Sequence, residues 1–96
     1  MPKATWNGTV LAQSEKFEMV EGNIYFPHDS VTWDHFSKGT REYTCPWKGK
    51  ATYYDISAGG KKNDNAAWSY PNPLPAANNI KGYVAFETGK GIQVES

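Results

Sequence analysis

Apolar and polar residues alternate in short runs along this chain, and turn residues interrupt them at close intervals. That pattern predicts strands, because successive strand side chains point to opposite faces. Ala4-Thr5-Trp6 and Thr9-Val10-Leu11 flank Asn7-Gly8, a strong signal for a two-residue hairpin turn. Residues 17–20 and 24–26 flank Glu21-Gly22-Asn23 and predict a second hairpin, with glycine supplying the positive φ. Val31, Trp33 and His35 alternate, yet Asp29 or Ser30 can cap a helical turn, so residues 31–36 stay open between the two. A third hairpin is expected from residues 40–45 and 51–57, closed by a loop over 46–50. Residues 65–70 form a further strand, ended by Pro71, Pro73 and Pro75. One or two helical turns are predicted over 76–81, with Pro75 in the first helical position and Gly82 as the terminator. Residues 83–87 and 92–95 make a last hairpin around Thr88-Gly89-Lys90-Gly91. The predicted fold is therefore mainly β: one domain over residues 1–96, built from antiparallel hairpins with a short helical piece.

The third hairpin admits a register argument. If Cys45 pairs with Ala51, then Tyr43 faces Tyr53 and Arg41 faces Asp55, an aromatic pair and an opposite-charge pair together. A one-residue slip loses both. In that register Arg41, Tyr43, Cys45, Ala51, Tyr53 and Asp55 share one face. Trp68 and Tyr70 likewise share a face of the following strand. Were the two strands neighbours, four rings and one thiol would line a common hollow of the kind that binds small ligands. Lys48, on the Pro46-to-Gly49 turn, supplies a positive charge at its mouth. The candidate ligand-binding residues are thus Arg41, Tyr43, Cys45, Lys48, Tyr53, Trp68 and Tyr70, with Cys45 and Lys48 as the candidate catalytic pair.

Composition narrows the function classes. Ten basic and ten acidic residues balance, which removes the electrostatic footprint of a nucleic-acid binder. No apolar run reaches membrane-spanning length, so no membrane partner is expected. The single cysteine excludes an intramolecular disulfide and a Cys-rich zinc site. His28, His35 and the carboxylates lack metal-ligand spacing, so neither metal nor cofactor is expected. Lys48-Gly49 lacks the glycine-rich approach of a phosphate loop. Met1-Pro2-Lys3-Ala4 lacks the apolar run of a signal peptide, and the expected compartment is the cytoplasm.

Several motifs carry a resemblance across essentially the whole chain. They are Cys45-Pro46-Trp47-Lys48-Gly49 followed by Tyr53-Tyr54, then Ala66-Ala67-Trp68-Ser69-Tyr70-Pro71 with Pro73, and Gly82-Tyr83-Val84-Ala85-Phe86. Phe17-Glu18-Met19-Val20-Glu21-Gly22 and Tyr25-Phe26-Pro27 join them. In these segments the chain resembles the bacterial domain of unknown function 427, sometimes labelled nucleotidyltransferase-like. The resemblance implies a compact β-tent, a fold shared with methionine sulfoxide reductase B and the thalidomide-binding domain of cereblon. Those relatives' paired Cys-x-x-Cys zinc knuckles have no counterpart here, nor has the Gly-Ser turn and Asp-x-Asp pair that nucleotidyl transfer requires. What transfers is the expectation that residues 45–49 and 68–73 meet in one site.

Three readings follow. The first is a module that binds a small molecule or peptide group among the aromatic residues, with Lys48 and Arg41 recognising an anion. The second makes Cys45 a nucleophile or redox thiol assisted by Lys48. The third is a structural or interaction module using edge strands or the tyrosine face, as a monomer or homodimer.

Overall fold

Turn chemistry sets the boundaries of the strands. A computed structural model describes all 96 residues. It contains β1 (Lys3–Trp6), β2 (Thr9–Gln13), β3 (Glu18–Val20), β4 (Asn23–Tyr25), β5 (Phe36–Cys45), β6 (Gly49–Ala58), β7 (Lys61–Ser69), β8 (Val84–Phe86) and β9 (Gln93–Glu95). They assemble into three antiparallel sheets, ordered β2-β1-β9, β3-β4 and β5-β6-β7-β8. The mainly β class is as the alternation predicts. Asn7-Gly8 and Glu21-Gly22 make the first two hairpin turns, all four residues at positive φ. The open stretch resolves into both alternatives in sequence. Val31 makes an isolated bridge to Ala12, Trp33–His35 is a 3-10 turn, and Phe36 begins β5. Pro75–Ile80 is 3-10 helical with its proline at the start, as anticipated.

Two expectations are corrected. Residues 83–87 and 92–95 do not pair with each other: β8 joins β7, while β9 joins β1 in another sheet. The register of the central hairpin also differs. Cys45 pairs with Gly49 and Tyr43 with Ala51, not with Tyr53, while Asp55 pairs with Ser37 rather than Arg41. The physical reason is twofold: the three-residue loop 46–48 sets Cys45 against Gly49 and Tyr43 against Ala51, and a bulge in β5, level with one in β7, then moves Asp55 on to Ser37. Gly39, Thr40 and Arg41 of β5 stand opposite Tyr53 alone, and Asp64, Asn65 and Ala66 of β7 stand opposite Asp55 alone. The two strands bend around buried Asp55, whose Oδ1 accepts the Asn65 backbone N–H at 2.8 Å. Asn65, itself at φ 51°, turns its Oδ1 back to accept the N–H groups of Thr40 and Arg41 at 3.0 and 3.1 Å. A Cβ at Gly39 would lie 2.3 Å from that oxygen, so only glycine fits the crossing. The displacement is an even number of residues, so the same side chains still share a face.

The four-stranded sheet is covered on both sides, which explains the unbroken buried run Ala66-Ala67-Trp68-Ser69-Tyr70. On one side Ile56, Ala67, Val84 and Phe86 pack with Leu11, Ala12, Phe26, Val31 and Ile92. On the other, Ala51, Tyr53, Trp68 and Ala85 pack with Tyr25, Cys45, Tyr70, Ala77 and Ile80. Phe26 and Val84 exchange backbone hydrogen bonds of 2.8 Å in each direction, holding the β3–β4 hairpin against β8. No helix is long and apolar enough to cross a membrane.

Candidate functional site

The second core brings most of the predicted residues together. Tyr53 and Trp68 are direct cross-strand partners on β6 and β7, with ring centroids 6.2 Å apart. Antiparallel neighbours on one face approach closely, so this pair fixes the floor of the group. Tyr25, delivered by β4, meets Trp68 edge-on at 6.2 Å, and the indole Nε1–H donates to the Tyr25 hydroxyl at 3.0 Å. A buried indole N–H and phenol thereby satisfy each other. Cys45 closes β5 in the same buried cluster, as does Tyr70 just after β7.

Lys48 enters from the three-residue loop Pro46-Trp47-Lys48 between β5 and β6. Gly49 ends this loop at φ 105°, where an added Cβ would press to 3.3 Å of the Leu74 nitrogen. That nitrogen donates to the Lys48 carbonyl at 2.9 Å, pinning the loop to the proline-rich segment after β7. The Lys48 side chain is only 8% exposed. Its Nζ lies 5.5 Å from the Trp47 ring centroid and 5.3 Å from that of Tyr70, within cation–π range. Its hydrogen-bonding and ion-pairing partner is Glu21 Oε1, offered by the β3–β4 turn, while the Glu21 side chain remains 52% exposed.

The electrostatics follow from this packing. Burial pushes the Tyr25 and Tyr53 phenols above their ordinary range, and Tyr70 is pushed up to about 12 by burial against the opposing pull of Lys48. Burial works against the Lys48 ammonium, but the Glu21 hydrogen bond and the surrounding phenols outweigh it and hold Lys48 above the usual lysine range. Glu21 is correspondingly drawn below the usual carboxylate range by its bond to Lys48. Chemically the group is a fixed cation walled by rings whose hydroxyls stay protonated at neutral pH.

Not every predicted residue joins it. Tyr43 is 43% exposed and stands outside the buried cluster. Arg41, displaced into the bulge, lies 4.9 Å from the Tyr53 ring centroid and pairs with Glu87 at 3.6 Å. Cys45 is buried among rings and small side chains. The rings pack against one another rather than enclosing a hollow: the four surface depressions are lined by other residues, and only Arg41 and Tyr53 of the predicted set reach one, of about 140 Å³. His28 stacks on Trp33 at 4.7 Å and His35 Nδ1 lies 3.0 Å from the Ser57 carbonyl, so neither belongs to the cluster. No group of three or more His, Cys, Asp or Glu side chains is arranged to hold a metal ion.

Three participants escaped the sequence reading. Tyr25 belongs to the Tyr25-Phe26-Pro27 motif, but nothing local links it to Trp68, 43 residues away on another strand. Trp47 lies within the cysteine motif, yet its role needed Lys48 beside it. Glu21 did carry a signal, since a glutamate occupies a turn position where Asn or Asp is favoured.

Residues 2–95 match a protein family described as Domain of unknown function (DUF427). No curated protein matches the chain.

Proposed function

The chain belongs to the DUF427 family, whose description carries no activity, and on that premise we propose that it is a binding module for an anionic small molecule or peptide group, recognised by Lys48 within the Tyr25, Trp47, Trp68 and Tyr70 rings. The observation that carries this reading is the near-complete burial of a lysine whose ionic partner is a half-exposed glutamate. Taking an ammonium out of water costs several kcal/mol, and an apolar residue of similar length is often no worse for stability. A buried cation between two rings is costly as a packing device and well suited to anion recognition. Aromatic walls with one charged group are the usual composition of ligand sites. Ligand entry in this reading requires Glu21 to give way, since the rings leave no ready-made cavity.

The test is a thermal-shift screen of carboxylates, phosphates and neutral metabolites. A ligand at 100 times its Kd adds about 2.7 kcal/mol to stability. Lys48→Met is close to lysine in length and leaves unpaired only the half-exposed Glu21 carboxylate, which water can solvate, so it should fold, while losing every anionic hit. A screen whose hits bind Lys48→Met equally well would refute the site. The Cys45-nucleophile reading gains no support from a thiol packed among rings and beyond the reach of the surface depressions.

A further inference from the structure

The β3–β4 turn places a glutamate where its backbone is unsuited. Glu21 has φ 54° and Gly22 φ 81°, joining Val20 directly to Asn23. Such two-residue turns favour Asn, Asp or Gly, whose side chains tolerate or relieve the left-handed conformation. Glutamate gains no such local relief. Its carboxylate instead reaches across to Lys48, with the Trp47 side chain beside it. A strained residue held by a contact elsewhere marks a position whose side chain serves that contact.

The two partners are unequally fixed. Lys48 is enclosed, and its loop is tied through its carbonyl to Leu74. Glu21 is half exposed, so its carboxylate leaves by rotating its own side chain, without unpacking the core. Glu21 Oε1 is the charged acceptor of Lys48 Nζ, and the neutral Tyr25 and Tyr70 hydroxyls lie beside the same ammonium. Arg41, the other cation of the predicted site, is engaged by Glu87. The site is therefore balanced by a single negative charge.

We propose that Glu21 is an internal stand-in for the ligand: the Lys48 site takes a carboxylate, and binding exchanges the Glu21 carboxylate for that of the ligand. This rests on the preceding reading that Lys48 recognises an anion, and it adds the ligand's class and its regulation. A monoanionic carboxylate reproduces the charge and planar geometry that Glu21 supplies. A phosphate dianion leaves an excess negative charge against buried phenols. Trp47, partly exposed beside the exchange point, favours a carboxylate attached to a flat or apolar body. That body belongs either to a free small acid or to an acidic peptide.

Benzoate, inorganic phosphate and an end-blocked peptide carrying one glutamate are titrated against the full chain by NMR, in the parent and in variants. Removing an internal competitor restores the binding-competent fraction, so Glu21→Gln should bind benzoate or the peptide about tenfold tighter than the parent. Glu21→Asp, one methylene short of Lys48, should show a smaller gain. Lys48→Met in the Glu21→Gln background should abolish the gain. Preference for benzoate identifies a free acid and preference for the peptide an acidic chain; both support the exchange. Equal affinities in parent and Glu21→Gln overturn the exchange while leaving anion binding at Lys48 intact. Tighter binding of phosphate than of either carboxylate by Glu21→Gln overturns the ligand class. Binding that Lys48→Met leaves unchanged overturns the proposed function as well. Failure of both Glu21 variants to fold, or absence of binding by every probe, also overturns the exchange, because an exchangeable group is not one the fold requires.

Discussion

The two faces of the four-stranded sheet have been filled in different ways. One carries Ile56, Ala67, Val84 and Phe86 against Leu11, Phe26 and Ile92. Its Phe26 and Phe86 rings meet edge-on at 5.7 Å, and stability there comes from burial and dispersion. The other carries Tyr25, Tyr53, Trp68 and Tyr70, whose rings bury area but whose polar tips need partners, and it adds a charged lysine at the margin. An apolar face already holds this sheet. The polar ring face is a more demanding way to fill equivalent space, because every buried polar tip needs a partner.

Substitutions on the two faces can separate packing from recognition. The largest effect is expected for Phe86→Ala, which should cost about 3–5 kcal/mol, as for other buried phenylalanines. Urea unfolding would measure it, and the fraction that remains folded should keep the anion affinity proposed for Lys48. An equal loss of affinity and stability would erase the distinction between the faces. Tyr25→Phe is expected to cost about 1–3 kcal/mol, because it leaves the Trp68 Nε1–H buried without an acceptor. A cost near zero would mean that the indole finds another acceptor and that the polar tips are less constrained than argued.

Alkaline titration probes the ring face alone. Tyr25, Tyr53 and Tyr70 are raised above the ordinary phenol value of 10.0, Tyr70 to about 12. The folded state therefore holds these protons more tightly than the unfolded chain does. Their contribution is complete below pH 10 and is lost as pH rises toward 12. Lys48 is displaced in the same direction and adds to the loss. The urea midpoint should fall over that window, and Tyr70→Phe should flatten the fall; a fall of unchanged steepness would remove Tyr70 from the account. The smallest effect belongs to Tyr43→Ala, which lies outside both cores. It should change stability by no more than about 0.5 kcal/mol and leave the proposed anion affinity untouched. A larger loss of binding would return Tyr43 to the site.

The contrast between the faces was only partly legible in the chain. Alternation gave the strands, Asn7-Gly8 and Glu21-Gly22-Asn23 gave two turns, the second of them one residue too long because Asn23 opens β4, and Pro75 gave the start of the helical piece, because each depends on the φ/ψ preferences of adjacent residues. Face membership of Tyr53, Cys45 and Ala51 was also local, since it follows from parity along one strand. Trp68 came beside Tyr53 only on the condition that their strands were neighbours, and the pairing itself needed β6 and β7 to adopt their actual register.

Tertiary structure decided the rest. Which strand β8 and β9 would join is a matter of sheet assembly, and local turn residues suggested a hairpin that does not form. The position of Arg41 depended on the Asp55–Asn65 crossing, in which Asp55 of β6 holds the bulge of β7 and Asn65 of β7 holds that of β5, contacts between strands that no run of adjacent residues specifies. The site was settled by contacts across long separations, Tyr25 with Trp68 and Glu21 with Lys48, where one hydrogen bond and one ion pair link parts of the chain that share no local constraint. Backbone preference is written residue by residue, whereas the environment of a buried charge exists only once the chain has closed around it.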